Sequence, residues 1–152
     1  MKQKQFLTST AALLMIAGSL AGAELVNVAG ASGIAVDGYD TVAFFTDAKP
    51  VHGNPGIKSA YQGATYFFVN KEHQALFEAN PAKYVPQFGG FCAYGVALNA
   101  LFPVDISTWQ IRDGKLYLNL NPEILKAFNA DFKANTTKAD GNWPELVKKN
   151  QK

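Results

Sequence analysis

Residues 61–84 constrain the fold most, because they carry signals for a turn, a strand and a capped helix in succession. Gln62-Gly63 suits a two-residue hairpin turn, and the aromatic run 66–68 after it favours a strand. Asn70 is placed to cap a following helix by accepting a hydrogen bond from the backbone N–H of His73. The segment therefore predicts a β-hairpin followed at once by an α-helix.

A second hairpin is indicated by Asp113-Gly114, which favours a type I′ turn. The strand-prone runs 109–112 and 115–118 flank this dipeptide. Asn121 and Pro122 then predict the cap and first residue of another helix. Apolar residues follow at helical spacing, namely Ile124, Leu125, Phe128 and Phe132.

Other segments are less sharply marked. Residues 42–45 follow a turn signal and are predicted to form a strand. Residues 24–36 are predicted to form a short lead-in strand or a mobile arm. Residues 93–98 fit a helix or a strand equally well, and the tail is expected to end in a short polar helix. Together these signals predict a single α+β domain of antiparallel β-hairpins packed against a few helices.

The amino terminus predicts a cleaved secretory signal at residues 1–23. Lys2 and Lys4 precede an apolar run of roughly 15 residues, shorter than the ~20 needed to span a bilayer. A small-residue cleavage site ends at Ala23, so the mature chain is expected to begin at Glu24. The alternative is an uncleaved membrane anchor. A cleaved signal predicts a periplasmic or secreted protein with no stable membrane insertion.

Composition narrows the classes of partner. Cleavage would remove two lysines and no acidic residue, which takes the formal charge from +2 to zero. A neutral domain has no electrostatic footprint for nucleic acid, so none is expected as a partner. The hydrophobic content of 48%, with 11 Phe and 6 Tyr, is enough for a core without disulfides. The single cysteine, Cys92, cannot form an intrachain disulfide.

Several phrases of the chain resemble a known family. The pattern Y-x-G-x-x-Y-x-F followed by F-x-x-x-P-x-x-Y is that of the YHS domain, and it is matched by Tyr61, Gly63, Tyr66, Phe68, Phe77, Pro81 and Tyr84. The chain also resembles exported YHS-domain proteins of bacteria in GYDTVAFF at 38–45, FGGFCAYGVAL at 88–98, GKLYLNLNP at 114–122 and KADGNWP at 138–144. The resemblance implies a YHS-type domain over 37–152 with a C-terminal helical extension, and a binding protein whose suggested ligand is a metal ion such as copper.

The resemblance directs attention to two candidate metal ligands. The YHS pattern often places two cysteines after the aromatic strand, and this chain has Val69 and His73 at those positions. The imidazole of His73 and the thiol of Cys92 are therefore the predicted pair, and copper or zinc the predicted metal. Alternatives stay open: His73 as an ordinary polar residue, and Cys92 as a buried apolar residue or an intermolecular partner.

An aromatic pocket for a small organic molecule is the alternative function. Its candidate residues are Tyr39, Asp40, Tyr66, Phe91 and Tyr94. Asp40 has a competing role, because an aspartate beside a turn commonly caps local N–H groups. A third reading is a structural or interaction module without a ligand. An enzyme is least supported, since the sequence lacks the motifs of zinc proteases, nucleotide loops and serine hydrolases.

Overall fold

The strands form two sheets. The computed structural model describes residues 25–151, so the predicted signal at 1–23 lies outside it. The first sheet has the order β1-β2-β4-β3, and the second is a β5–β6 hairpin. The strands are β1 (Val28–Ala29), β2 (Ile34–Ala35), β3 (Asn54–Tyr61), β4 (Ala64–Phe68), β5 (Asp105–Arg112) and β6 (Lys115–Asn119). Only the β2–β4 pairing among these described strands is parallel.

Helices surround the two sheets. They are α1 (Ala43–Thr46), α2 (Lys71–Ala79), α3 (Pro81–Tyr84), α4 (Ala93–Ala97), α5 (Pro122–Ala130) and α6 (Phe132–Asn150), with 3-10 turns at Gly30–Ser32, Val36–Gly38 and Gln87–Gly90. The α+β prediction is confirmed, and the lead-in segment contributes strands β1 and β2 to the larger sheet. Within residues 25–151, no helix has both the length and the apolar character to cross a bilayer.

Both predicted hairpins and their following helices are confirmed. Gln62 and Gly63 connect β3 to β4, and Asp113 and Gly114 connect β5 to β6, all with positive φ as type I′ turns require. The side chain of Asn70 accepts from the N–H of His73 at 2.8 Å at the start of α2. An asparagine caps α5 in the same way, also at 2.8 Å. Local signals were therefore sufficient at these four places.

The strand predicted at residues 42–45 is wrong, because this segment forms the helical turn α1. Asp40 Oδ1 accepts from the N–H of Val42 at 2.9 Å and from that of Ala43 at 3.3 Å. These bonds satisfy backbone donors that a helix start leaves open. Phe44 is 1% exposed, and the burial of its side chain also stabilises the helical turn.

The tail ends in a helix as predicted, but the predicted short length is wrong, because α6 is a single helix of 19 residues that continues through Pro144. Asp131 lies between α5 and α6. Its side chain caps the start of α6 by accepting a hydrogen bond from the N–H of Ala134 at 3.0 Å. The helix packs on α4 and α5 through Ala139 and Leu146, both buried. Tertiary packing thus supports a helix that its polar composition does not predict.

The buried apolar residues form two clusters. The first cluster lies among the four-stranded sheet, α1, α2 and α3, and the second among α4, α5 and α6. Strand β6 separates them, because Leu116 and Leu118 belong to the first cluster and Tyr117 to the second. Alternate residues of a strand point to opposite faces, so one short strand is shared by both cores. Phe77 of α2 and Phe128 of α5 are 1% and 0% exposed, so each of these helices packs its aromatic side chain into one of the cores.

Candidate functional site

The carboxylate of Asp40 is fully buried and accepts four hydrogen bonds. Oδ1 accepts from the backbone N–H groups of Val42 and Ala43, and Oδ2 accepts from the N–H of Val69 at 2.9 Å. Nδ1 of His73 lies 2.7 Å from the same Oδ2. A carboxylate can be buried only when its charge is compensated in this way. The predicted capping role of Asp40 is confirmed, and the side chain also joins α1 to the end of β4 and to α2.

His73 is oriented by two elements of local structure. The cap at Asn70 begins α2 and sets the position of His73 in the first helical turn. A carboxylate only accepts hydrogen bonds, so Nδ1 carries the proton donated to Asp40. The other ring nitrogen, Nε2, lies 3.3 Å from Thr46 Oγ1 and 3.8 Å from Asp47 Oδ1. The imidazole, with its residue only 7% exposed, therefore has one edge held in the core and the other directed toward α1.

The order carboxylate, imidazole and hydroxyl matches that of a hydrolytic triad, but the hydroxyl is engaged elsewhere. Thr46 Oγ1 lies 2.8 Å from Asp47 Oδ1 and 3.2 Å from the carbonyl oxygen of Val42. Both are closer than His73 Nε2, so the geometry favours donation of the single hydroxyl proton to one of these acceptors. The arrangement orients an imidazole and does not activate a nucleophile.

Cys92 is 1% exposed and caps α4. Its Sγ accepts from the N–H of Gly95 at 3.4 Å, and the thiol lies 3.7 Å from Oδ1 of the buried Asn119. The N–H of Tyr94 donates to the same oxygen at 3.1 Å. Of the alternatives for this cysteine, burial is the one that the structure shows, and the thiol is closed to a partner chain in this state.

Within the described part of the chain, the predicted ligands Cys92 and His73 share no hydrogen-bond partner. His73 belongs to α2, which packs on α3, β3 and β4, whereas Cys92 precedes α4, which packs on α5, α6 and β6. Across residues 25–151, no group of three or more His, Cys, Asp or Glu residues is arranged to hold a metal ion. The structure thus assigns the two candidate ligands to separate surroundings.

A cleft of about 280 Å³ opens where the two clusters meet. The first cluster and its margin supply Val26, Tyr61, Tyr66 and Val85, and the second supplies Phe88 and Trp143. The remaining wall includes Gln62, Ala82, Pro86, Gln87, Gly89 and Asp140. Aromatic rings beside a few polar groups are the usual lining of a small-molecule site.

The wall of the cleft depends on a left-handed turn at Phe88 and Gly89, whose φ angles are 55° and 59°. The carbonyl of Gly89 accepts from the N–H of Asn27 at 2.8 Å, which fixes the segment containing Val26 against the turn. A Cβ atom at Gly89 would lie 2.0 Å from the carbonyl oxygen of Leu25. Glycine is therefore required for this close approach of two backbones.

Among residues 25–151, Asp140 is the only charged residue that lines the cleft. It is exposed, and among the described residues it forms no salt bridge. Its field reaches Tyr117, whose ring centroid lies 6.3 Å from that of Phe88. Burial raises the pKa of Tyr117 above its ordinary value, and the charges of Asp140 and Asp113 raise it further. The described lining of the cleft therefore carries one negative charge and no positive charge.

Of the five predicted pocket residues, only Tyr66 lines the cleft. Tyr39 instead stacks on His52 with ring centroids 3.9 Å apart, and Asp40 lies in the buried network. Phe91 and Tyr94 are half-buried against the second cluster, where Phe91 lies 6.4 Å from Trp143.

Sequence reasoning missed Asp47 beside His73 and Asp140 in the cleft. Asp140 and Trp143 are three residues apart on α6, so they occupy one helix face. That spacing is readable in the sequence, but only once the tail is recognised as a long helix. Asp47 has no such signal, because its approach to His73 depends on how α1 packs against α2.

Comparison with protein-family models, with curated proteins and with solved structures finds no match to this chain. Membership of the YHS-domain family therefore stays a prediction based on the phrases quoted above.

Proposed function

We propose that the protein is an exported, YHS-type binding protein that holds a small organic ligand in the cleft between its two hydrophobic clusters. The observation that carries the proposal is the cleft itself, which has a volume of about 280 Å³ and rings from both clusters. Its volume lies near the lower end of known ligand sites, which favours a small ligand. Export is supported by the signal pattern at residues 1–23.

Trp143 provides the direct test, because its indole lines the cleft. Trp109→Phe leaves Trp143 as the only tryptophan. Its fluorescence would be followed with choline, 3,3-dimethylbutan-1-ol, 3,3-dimethylbutanoate and benzyl alcohol as probes. At least one should give a saturable change. Native mass spectrometry of protein recovered from its producing cells would show a bound organic mass.

Blocking the cleft supplies the matched control for this test. Ala82 is exposed at the cleft wall, so Ala82→Phe fills the opening without disturbing the core. Ala130→Phe adds the same ring at an exposed position outside the cleft. Ala82→Phe should abolish the fluorescence change, and Ala130→Phe should leave it intact. The proposal fails if no probe saturates and no bound mass is found, or if binding survives Ala82→Phe.

A metal site at His73 is the second candidate, favoured by one observation. A metal-binding histidine usually donates its other ring N–H to a carboxylate, and Asp40 accepts from His73 in this way. Nε2 lies on the side of Asp47 Oδ1, at 3.8 Å. We therefore propose His73 and Asp47 as the ligands, with an open site for zinc or divalent copper, since imidazole and carboxylate suit these ions.

This candidate differs from the Cys92–His73 pair in a measurable way. Titration with Zn²⁺ or Cu²⁺ should show binding that His73→Ala abolishes and Asp47→Ala weakens, whereas Cys92→Ser leaves it unchanged. Asp47 is exposed, so its replacement tests the site without loss of core packing. Anaerobic Cu⁺ binding that depends on both Cys92 and His73 would instead support the pair predicted from the sequence.

A further inference from the structure

We propose that the cleft selects a small organic cation, an ammonium ion with an apolar body. The inference rests on the proposed function, since it names the ligand class of the same cleft. Rings from both clusters would surround the apolar body, and the carboxylate of Asp140 would face the positive charge.

The rings supply the first part of the argument. Tyr61, Tyr66, Phe88 and Trp143 all line the cleft, and they come from β3, β4, the 3-10 turn and α6. Phe88 and Trp143 meet edge-to-face with centroids 6.0 Å apart, so their rings present different orientations to one space. Aromatic π-systems attract cations, and Trp and Tyr do so more strongly than apolar aliphatic walls. Such a setting favours an ammonium ion over a neutral molecule of equal shape.

Charge supplies the second part. The twelve residues that line the cleft include Asp140 but no Lys, Arg or His. Within the described part of the chain, Asp140 has no salt-bridge partner, so its charge is available to a ligand. An anionic ligand would meet this carboxylate and the negative faces of the rings, both of which repel it. Burial is the main cause of the raised pKa of Tyr117, Asp140 is the second and Arg112 opposes them, so the field of the Asp140 carboxylate reaches a ring that packs against Phe88.

Three probes of the same shape test the inference. Choline carries a trimethylammonium group, 3,3-dimethylbutan-1-ol replaces its nitrogen by carbon, and 3,3-dimethylbutanoate carries a negative charge. In the Trp109→Phe chain, choline should bind about tenfold more tightly than the alcohol, as several cation–π contacts would give. The carboxylate should bind most weakly. Added salt should weaken the binding of choline, leave the neutral alcohol unchanged and strengthen the binding of the carboxylate, because it screens the attraction of the first and the repulsion of the last.

Matched variants locate the charge that matters. Asp140→Asn should weaken choline binding about three- to fivefold, the effect of a solvent-exposed ion pair, and leave the alcohol unaffected. Glu145→Gln makes the same charge change on α6 outside the cleft and should alter neither. Bound choline should also lower the pKa of Tyr117, which NMR of the tyrosine ring would detect independently of fluorescence.

The outcomes separate this inference from the proposed function. Equal affinity for choline and the alcohol, both lost in Ala82→Phe, would overturn cation selectivity and leave the binding cleft standing. Tighter binding of the carboxylate would likewise overturn the inference. Absence of binding by every probe, together with no bound mass on the recovered protein, would overturn both.

Discussion

Asp40 and Asp140 are the same residue type in opposite situations. Asp40 is fully buried, and four donors from α1, β4 and α2 surround its oxygens. Asp140 is exposed at the wall of the cleft and has no salt bridge in the described residues. The first carboxylate has its hydrogen-bonding capacity used within the fold, and the second retains capacity for a ligand.

The difference shows which features of a polar site indicate function. A buried charge with complete internal partners is retained because removal of any partner is costly, and this by itself says nothing about a ligand. An exposed charge beside aromatic rings in an open concavity, such as that of Asp140, keeps its hydrogen-bonding capacity for a ligand. The cleft and the Nε2 edge of His73 are therefore better candidates for a ligand site than the buried contact between Asp40 and His73.

The largest expected effect is the loss of stability caused by removing the buried carboxylate of Asp40. Asp40→Ala should cost roughly 3–5 kcal/mol of unfolding free energy, as does removal of one member of a buried pair. Three backbone N–H groups and His73 would lose their acceptor. Asp140→Ala, the control, should stay within about 0.5 kcal/mol of the unchanged chain, the usual range for surface sites. Equal denaturation midpoints of the two variants would contradict the comparison.

The next largest effect is the loss of stability expected when Gly89, in the wall of the cleft, is replaced. Gly89→Ala should cost roughly 1–3 kcal/mol for backbone strain, and more for the clash with Leu25. Gly63→Ala is the control, because that glycine also has a positive φ, 79°, but no heavy atom within 4 Å of an added Cβ. Urea denaturation of both variants measures the difference. If Gly63→Ala proves at least as costly, the contact between Gly89 and Leu25 does not hold the wall.

A smaller effect concerns Cys92. Cys92→Ala removes the cap of α4 and should cost about 1 kcal/mol, whereas Cys92→Ser keeps a capping side chain and should cost less. The buried thiol should react with Ellman's reagent only as fast as the chain opens. Immediate reaction of the folded protein would show that Cys92 is accessible, and would revive its role as a ligand or intermolecular partner.

The smallest effect is electrostatic and sharpens the description of the cleft. Asp140→Asn should lower the pKa of Tyr117, though less than burial raises it, because the carboxylate is the second cause of the shift. A pKa raised on folding stabilises the folded state fully below the ordinary value of 10.0 and ceases to do so as pH rises through the folded value. The loss of stability begins near the ordinary pKa in both chains, so Asp140→Asn, by lowering the folded pKa of Tyr117, should make the loss at alkaline pH smaller and complete at a lower pH. NMR titration of the tyrosine rings measures it, and an unchanged pKa would disprove the coupling.

Local chemistry made much of the fold predictable. The two hairpin turns require residues that tolerate positive φ, and Gly63 and Gly114 make both turns predictable from the sequence. The caps at Asn70 and Asn121 act within three residues, so their helices could be placed without tertiary information. The predicted α+β class followed from these elements.

Elements that depend on distant partners were less predictable. Residues 42–45 are helical where Asp40 caps them, and the same carboxylate also binds Val69 and His73, far along the chain. Polar composition concealed α6, whose buried residues repeat sparsely and contact α4. Periodicity alone could not reveal a helix stabilised mainly by its neighbours.

By itself, the sequence determined the turns and the capped helices, because these follow from short-range conformational preference. It also determined that the chain has enough aromatic residues to fill two hydrophobic cores. Tertiary structure alone decided which polar groups meet. It buried Asp40 beside His73, separated that pair from Cys92, and brought Asp140 to the same cleft as Tyr61 and Tyr66. The physical reason is that hydrogen bonds and charges act over a few ångströms, and only the packed chain sets distances on that scale between remote residues.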